Sequence, residues 1–189
     1  MCRLFAVIAV VTAFASSSVL ADELAVHRDE ARAISKEFGQ QLQAVFKPAM
    51  ERGGAIHAID ACNVQATPIA NERAQASGWK VGRTSLRTRN SANGPDGWER
   101  AVLVQFERRK RSGENPANLE YFEMVETGSG SEVRYMKAIP TAGVCLACHG
   151  RQIDPDVAAH IEKLYPDDRA TGFSQGDLRG AFSLSKTLP

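Results

Sequence analysis

The 189-residue chain carries 23 Lys and Arg against 22 Asp and Glu, a formal net charge of +1. That near-balance gives no electrostatic footprint for nucleic acid or an anionic membrane surface. The length suits one domain with a single core, and neither an internal repeat nor a later apolar run long enough to span a bilayer stands out.

Residues 1–21 have the layout of a secretory signal peptide. Arg3 is the positive n-region and Leu4 to Ala15 the apolar h-region. Ser16 to Ala21 is a small-residue cleavage region with Val19 and Ala21 at the −3 and −1 places. Asp22 is the expected mature start, residues 22–189 the expected single domain, and a bacterial periplasm the expected destination. Cys2 precedes the h-region and would leave with it; a lipobox cysteine would instead follow the cleavage site.

Glu23 to about Met50 reads as a long amphipathic helix, with Ile34, Phe38, Leu42, Val45 and Phe46 on one face. Pro48 and Gly53-Gly54 mark its end. A short second helix puts Ile56, Ile59 and Cys62 on one broad inward face, and Thr67-Pro68 closes or kinks it. Ser77-Gly78 is a turn, and Trp79 to Leu86 alternates as a strand. The stretch Gly82 to Asn90 is dense in donors. Its Arg83, Arg87 and Arg89 are either a solvated strand end or a cradle for carboxylates, which guanidinium groups bind in bidentate fashion.

Asn93 to Gly97 is a turn, after which Asp96 and Glu99 form a capping box that opens a helix. Trp98, Val102 and Phe106 share one face of it, although Val102, Val104 and Phe106 also suit a strand. Arg108 to Arg111 ends it as a solvated terminus favoured by the helix dipole. Leu119 to Val125 and Glu132 to Ile139 are two strands joined across Thr127 to Ser131. Val133, Tyr135, Lys137 and Ile139 alternate with Glu132, Arg134, Met136 and Ala138. Further on, Asp154 caps a helix with Pro155 at its first position and Val157, Ile161 and Leu164 inward. Tyr165-Pro166 stops that helix, and Leu178 to Lys186 is a last strand. Four strands with unevenly interspersed helices predict an antiparallel sheet and an α+β domain.

Between the hairpin and the last helix stands Cys145-Leu146-Ala147-Cys148-His149, the C-x-x-C-H pattern of covalent c-type haem attachment. Two thiols add across the two haem vinyl groups to give two thioethers. The two intervening residues separate the sulfurs on one helical turn, and the next residue, His149, is placed to bind the iron as proximal ligand. Haem c is therefore the expected cofactor. A thioredoxin-like redox pair would sit in a βαβ unit, and no such pattern surrounds these cysteines. A zinc site would need a second cysteine pair. Covalent haem is attached outside the bacterial cytoplasmic membrane, in keeping with the leader. With Cys145 and Cys148 so used, Cys62 is a lone thiol in an oxidising compartment: buried, paired between chains, or bound to metal.

Four runs together resemble a known family: Ala58 to Cys62; Gly82 to Leu86 with Arg89-Asn90, Asn93, Pro95 and Trp98-Glu99; Cys145 to Gly150; and Tyr165-Pro166-Asp167 with Gly172 and Gly176 to Phe182. The chain, over roughly Ala31 to Leu184, resembles the bacterial exported c-type haem domains with a PAS-like fold. That family was long catalogued as a domain of unknown function and also occurs as a sensor region. The resemblance implies a PAS-like antiparallel sheet packed on long N-terminal helices, haem against the sheet, and Cys62 as distal ligand opposite His149; the carboxylates that Arg83, Arg87 and Arg89 would cradle are then the haem propionates. From the residues alone, His57, His160, Met50, Met124 and Met136 also compete for that position, as does the absence of any protein ligand. The expected function is redox sensing or one-electron transfer with a separate redox or signalling protein. The alternative is a gas sensor or haem enzyme whose sixth iron position is open or labile.

Overall fold

A computed structural model of the chain describes residues 13–128 and 130–188. Most of the leader expected over residues 1–21 lies outside them; its backbone from Ala13 onward forms the first turns of a helix. That segment, α1 (Ala13–Ser77), is two helices joined across a break at Gly53-Gly54, where the sequence places the end of the first; the second runs past Pro68 to Ser77. Pro48 and Pro68 both lie inside it, and each removes one i→i−4 hydrogen bond. Neither ends the helix. The adjacent Ala49 and Ile69 are buried, and tertiary packing of a helix face outweighs a single lost bond.

The break comes at the glycines. Gly53 (φ −157°, ψ 24°) and Gly54 (φ 66°, ψ −154°) leave helical geometry, and a Cβ on Gly53 would collide with the His57 ring. The chain reverses there, for Arg73 Nη1 reaches Glu37 Oε2 at 3.1 Å across 36 residues of sequence. α1 is therefore an antiparallel helical hairpin. Among the described residues, no helix is long and apolar enough to cross a membrane.

Four strands make one antiparallel sheet in the order β1-β4-β3-β2. They are β1 (Lys80–Thr84), β2 (Glu120–Thr127), β3 (Gly130–Pro140) and β4 (Leu178–Thr187). β2 and β3 are the expected hairpin, with Tyr121 opposite Met136. β4 inserts between β1 and β3, so that Phe182 faces Arg83 on one side and Lys137 on the other. The chain is the expected α+β, PAS-like fold.

Both faces of the sheet are covered. On one, Val133, Tyr135 and Leu184 pack with Trp79 and with Ala31 and Ile34 of α1. On the other, Met136, Ala138 and Ala181 pack with Val102, Leu103 and Phe106 of α2 (Gly97–Arg111). The alternation along β3 thus separates two cores rather than a core from solvent. Each buried side chain of the size of Leu103 or Phe106 contributes about 1.5–3 kcal/mol. The α2 segment is helix, not strand, and starts at the expected capping box: Glu99 N–H donates to Asp96 Oδ1 at 2.7 Å, and Asp96 N–H to Glu99 Oε2 at 3.0 Å.

Two short helices complete the fold. α3 (Leu146–His149) is a single turn, and α4 (Pro155–Leu164) begins at the expected Asp154 cap. A third cluster of Ile59, Cys148, Val157 and Ile161 seats both against the second half of the α1 hairpin.

Alanine at position 54 would have to hold a backbone region that L-residues avoid. Gly54→Ala should therefore destabilise the fold by about 1–3 kcal/mol, read as a lower denaturant midpoint at unchanged slope. An unchanged midpoint would show that the reversal does not depend on these glycines.

Candidate functional site

The C-x-x-C-H turn is held from outside itself. Cys145 ends a 3₁₀ turn (Gly143–Cys145), and α3 carries Cys148 and His149. Gly150 closes α3: its N–H donates to Leu146 O at 2.9 Å, and a Cβ there would press on that oxygen at 2.5 Å. The loop after α4 is zipped to this turn by its backbone. Gly172 N–H donates to Gly150 O at 2.8 Å, Phe173 N–H to His149 O at 2.9 Å, and Gly176 N–H to Thr141 O at 2.8 Å.

The same loop supplies the partner of the imidazole. His149 Nδ1–H donates to the Ala170 carbonyl at 2.6 Å. A carbonyl only accepts, so this bond puts the proton on Nδ1 and the lone pair on Nε2. Burial, then the Arg179 and Arg89 charges, pushes the ring down to about 3, against the pull of the Ala170 carbonyl. His149 is thus neutral, the form in which imidazole binds a metal. Phe173 stands edge-on to it at 6.2 Å, and Arg179 Nε lies 3.4 Å from Nε2.

Cys62, Cys145 and Cys148 are all free thiols. Cys62 sits on the second half of α1, close enough to Arg83 and Cys148 for their charges to act on one another. Burial pushes the Cys62 thiol up and Arg83 pulls it back. Burial likewise pushes Cys148 up, opposed by Arg89. The fold therefore gathers Cys62, Cys148 and His149 into one neighbourhood, with the half-buried Cys145 preceding α3.

The arginines divide by their partners. The Arg83 guanidinium is pushed down by burial, and it has no hydrogen-bond or ion-pair partner among the described residues. Arg87 is exposed, stacks over the Phe173 ring at 4.0 Å and donates to Arg169 O at 3.3 Å. Arg89 is committed inward: Nη2 donates to Cys148 O at 2.5 Å and pairs with Asp168 Oδ2 at 3.2 Å. A fourth, Arg179, reaches in from β4 and donates to Ser85 Oγ and Arg87 O, both at 3.2 Å. Burial, then Arg89 and Arg83, pushes it down to about 10. Arg83, Arg89 and Arg179 crowd positive charge beside His149, and the Asp168 carboxylate pairs with Arg89.

Sequence reasoning missed Arg179, Asp168 and Phe173. They follow the motif at no diagnostic spacing; the positive-φ glycines Gly172 (φ 76°) and Gly176 (φ 82°) were the local hint that this loop turns back. The other residues considered for the iron are engaged elsewhere. His57 Nδ1–H donates to Gly53 O at 3.1 Å and His160 Nε2–H to Asp60 Oδ1 at 2.6 Å. Met136 and Met124 pack into the two sheet cores, and Met50 is half-buried just before the glycine break. One surface concavity is lined by Ser85, Arg87, Leu103, Lys110 and Phe173, and another by Val45, Arg52, Asp60 and Val64 of α1; neither is lined by Cys62, Cys145, Cys148 or His149.

A family profile described as Tll0287-like matches residues 12–186. The chain belongs to the Tll0287-like family. It is similar to the crystal structure of the cyanobacterial heme-protein Tll0287, at 26% identity and a TM-score of 0.61, over 89% of this chain and 95% of that one. No curated protein matches. The family and its solved structure bear out the resemblance drawn from the four sequence runs.

In this Tll0287-like chain the Arg89–Asp168 pair is shielded, with side chains 12% and 8% exposed. Breaking a buried pair leaves an uncompensated charge, so Asp168→Ala should cost about 3–5 kcal/mol, measured by denaturant unfolding. Adding Arg89→Leu should recover only part of that, because the bonds to the Cys148 carbonyl and from Ala170 N–H stay lost. A loss below about 1 kcal/mol for the single variant would mean the pair behaves as a solvent-screened surface bridge.

Proposed function

We propose that this Tll0287-like protein is an exported c-type haem protein that senses redox state or passes single electrons. The observation that carries the reading is the motif's geometry. Two free cysteines a turn apart lead into a neutral histidine whose Nδ1 is already bonded to Ala170 O. The chain's similarity to a solved heme-protein supports it.

When bound, haem supplies a one-electron Fe(III)/Fe(II) couple. In this reading Cys145 and Cys148 hold the macrocycle by thioethers and His149 Nε2 holds the iron. The Ala170 carbonyl keeps the imidazole oriented and raises its basicity, as such outer partners do. Arg179 Nε lies 3.4 Å from Nε2, so this guanidinium has to leave that nitrogen for His149 to serve as ligand. Arg83 and Arg179 suit haem propionates because Arg83 has no ion-pair partner among the described residues and the Asp168 carboxylate offsets Arg179 only in part, and Arg87 is the exposed member of the group. Arg89 instead braces the turn through the Cys148 carbonyl. Cys62 suits the sixth position, where a thiolate lowers the reduction potential. Residues 1–21 would export the chain to a periplasm, and a separate redox or signalling protein would receive the electron or the signal.

A second reading has its own observation. The Cys62 segment starts at the Gly53-Gly54 break and is tied to the motif's side of the fold by side-chain bonds at Asp60 and Asn63 that are exposed. A Cys62 that lets go on reduction would leave the sixth position to a small gas ligand.

The attachment is tested by a Cys145→Ala/Cys148→Ala variant matured in a periplasm. It should lose all haem to acid–acetone extraction, whereas Cys62→Ala should keep its haem and change spin state. Haem retained by the double variant would contradict the attachment, and an unchanged spectrum in Cys62→Ala would remove Cys62 from the iron.

A further inference from the structure

Two side-chain bonds bracket Cys62, and both run to the α4 segment. His160 Nε2–H donates to Asp60 Oδ1 at 2.6 Å, and Tyr165 OH donates to Asn63 Oδ1 at 2.8 Å. Asp60 and Asn63 stand on either side of Cys62 in the sequence. Their partners lie on and just after α4, the helix that follows His149 directly. α4 also packs inward, where Val157 and Ile161 meet Ile59 and Cys148. It thus bears on the segment that carries Cys62 and on the turn that carries His149.

These bonds are poorly placed for holding the core together. The Asp60 side chain is 54% exposed and His160 23% exposed, and exposed pairs add little stability. They are well placed for setting a distance. The α1 segment that carries Cys62 begins at the Gly53-Gly54 break and contains Pro68, which lacks one helix bond. A ligand must be held to within about 0.5 Å of its working position, and these two bonds join that segment to the motif's own side of the fold.

We infer that Asp60, Asn63, His160 and Tyr165 are positioning residues that keep Cys62 at the sixth ligand position of a haem held by His149. The inference rests on the proposed ligation and deepens it. The two α4 bonds decide whether Cys62 is a fixed ligand or a labile one, and so whether the protein conducts electrons or responds to a gas.

The test uses haem-loaded protein matured in a periplasm and reads carbon monoxide binding to the reduced state, with the low-spin spectrum as a second readout. Tyr165→Phe removes only the hydroxyl, and His160→Ala removes the second donor. The double variant should bind carbon monoxide about threefold to fivefold more readily than the parent, as expected for the loss of weak, partly exposed bonds, with its unfolding midpoint lowered only slightly. Tyr165→Phe alone should show a smaller change in the same direction. His160→Gln, which keeps a donor for Asp60, should behave as the parent. In a Cys62→Ala background the same substitutions should add nothing. Parent-like carbon monoxide binding in the double variant, with Cys62→Ala opening the iron, would overturn the positioning role and leave the ligation standing. The same increase in the Cys62→Ala background would also overturn it, by showing that the bonds act elsewhere. No effect of Cys62→Ala by itself would instead defeat the ligation beneath the inference.

Discussion

The hydrogen bond from His149 Nδ1 to the Ala170 carbonyl, 2.6 Å long, determines what the C-x-x-C-H turn presents to its surroundings. Ala170 lies beyond α4 and reaches the ring because the loop is zipped to Gly150 and His149 through its backbone. Asp168 steadies the same loop, accepting from Ala170 N–H at 2.8 Å while pairing with Arg89, which donates in turn to the Cys148 carbonyl. The circuit runs from the motif to the loop after α4, to Arg89 in the loop after β1, and back to the motif. A four-residue helix has too few bonds of its own to orient an imidazole, so the orientation comes from this ring of outer partners.

Burial works against charge throughout this region. It pushes His149 down, Cys62 and Cys148 up, and Arg83 and Arg179 down. Guanidinium groups gathered around a neutral histidine repel one another, and Asp168 answers only part of that charge. Such a cluster is costly unless paired and favours an anionic occupant. The proposed haem carboxylates would supply that pairing, while the neutral imidazole and the Cys62 sulfur would supply iron ligands of different character.

What was legible in the sequence was local. The Asp96–Glu99 capping box, the Asp154 cap with Pro155, the β2–β3 hairpin and the C-x-x-C-H run each announce themselves within a few residues, and each is where it was expected. What was not legible depends on partners distant in sequence. Pro48 reads with Gly53-Gly54 as a helix end and Pro68 as an end or a kink; the glycines do break the helix, yet the burial of Ala49 and Ile69 carries it through both prolines. The alternation in β3 showed two faces but not that α2 covers the second, where Met136 and Ala138 are buried. In the site, Arg83, Arg87 and Arg89 were visible as a cluster, but their different partners were not. Arg179 enters only because β4 pairs beside β1, bringing Ala181 opposite Thr84.

The central claim is that His149 and Cys62 hold the two axial positions of a covalently attached haem, and the measurement that tests it most directly is a visible absorption series. Protein matured in a periplasm is recorded oxidised, reduced, and reduced under carbon monoxide. The account predicts a haem Soret band, low-spin spectra in both oxidation states, and little response to carbon monoxide while Cys62 is in place. High-spin spectra with immediate, complete carbon monoxide binding would contradict the Cys62 ligation, and the absence of any Soret band would contradict the haem reading itself.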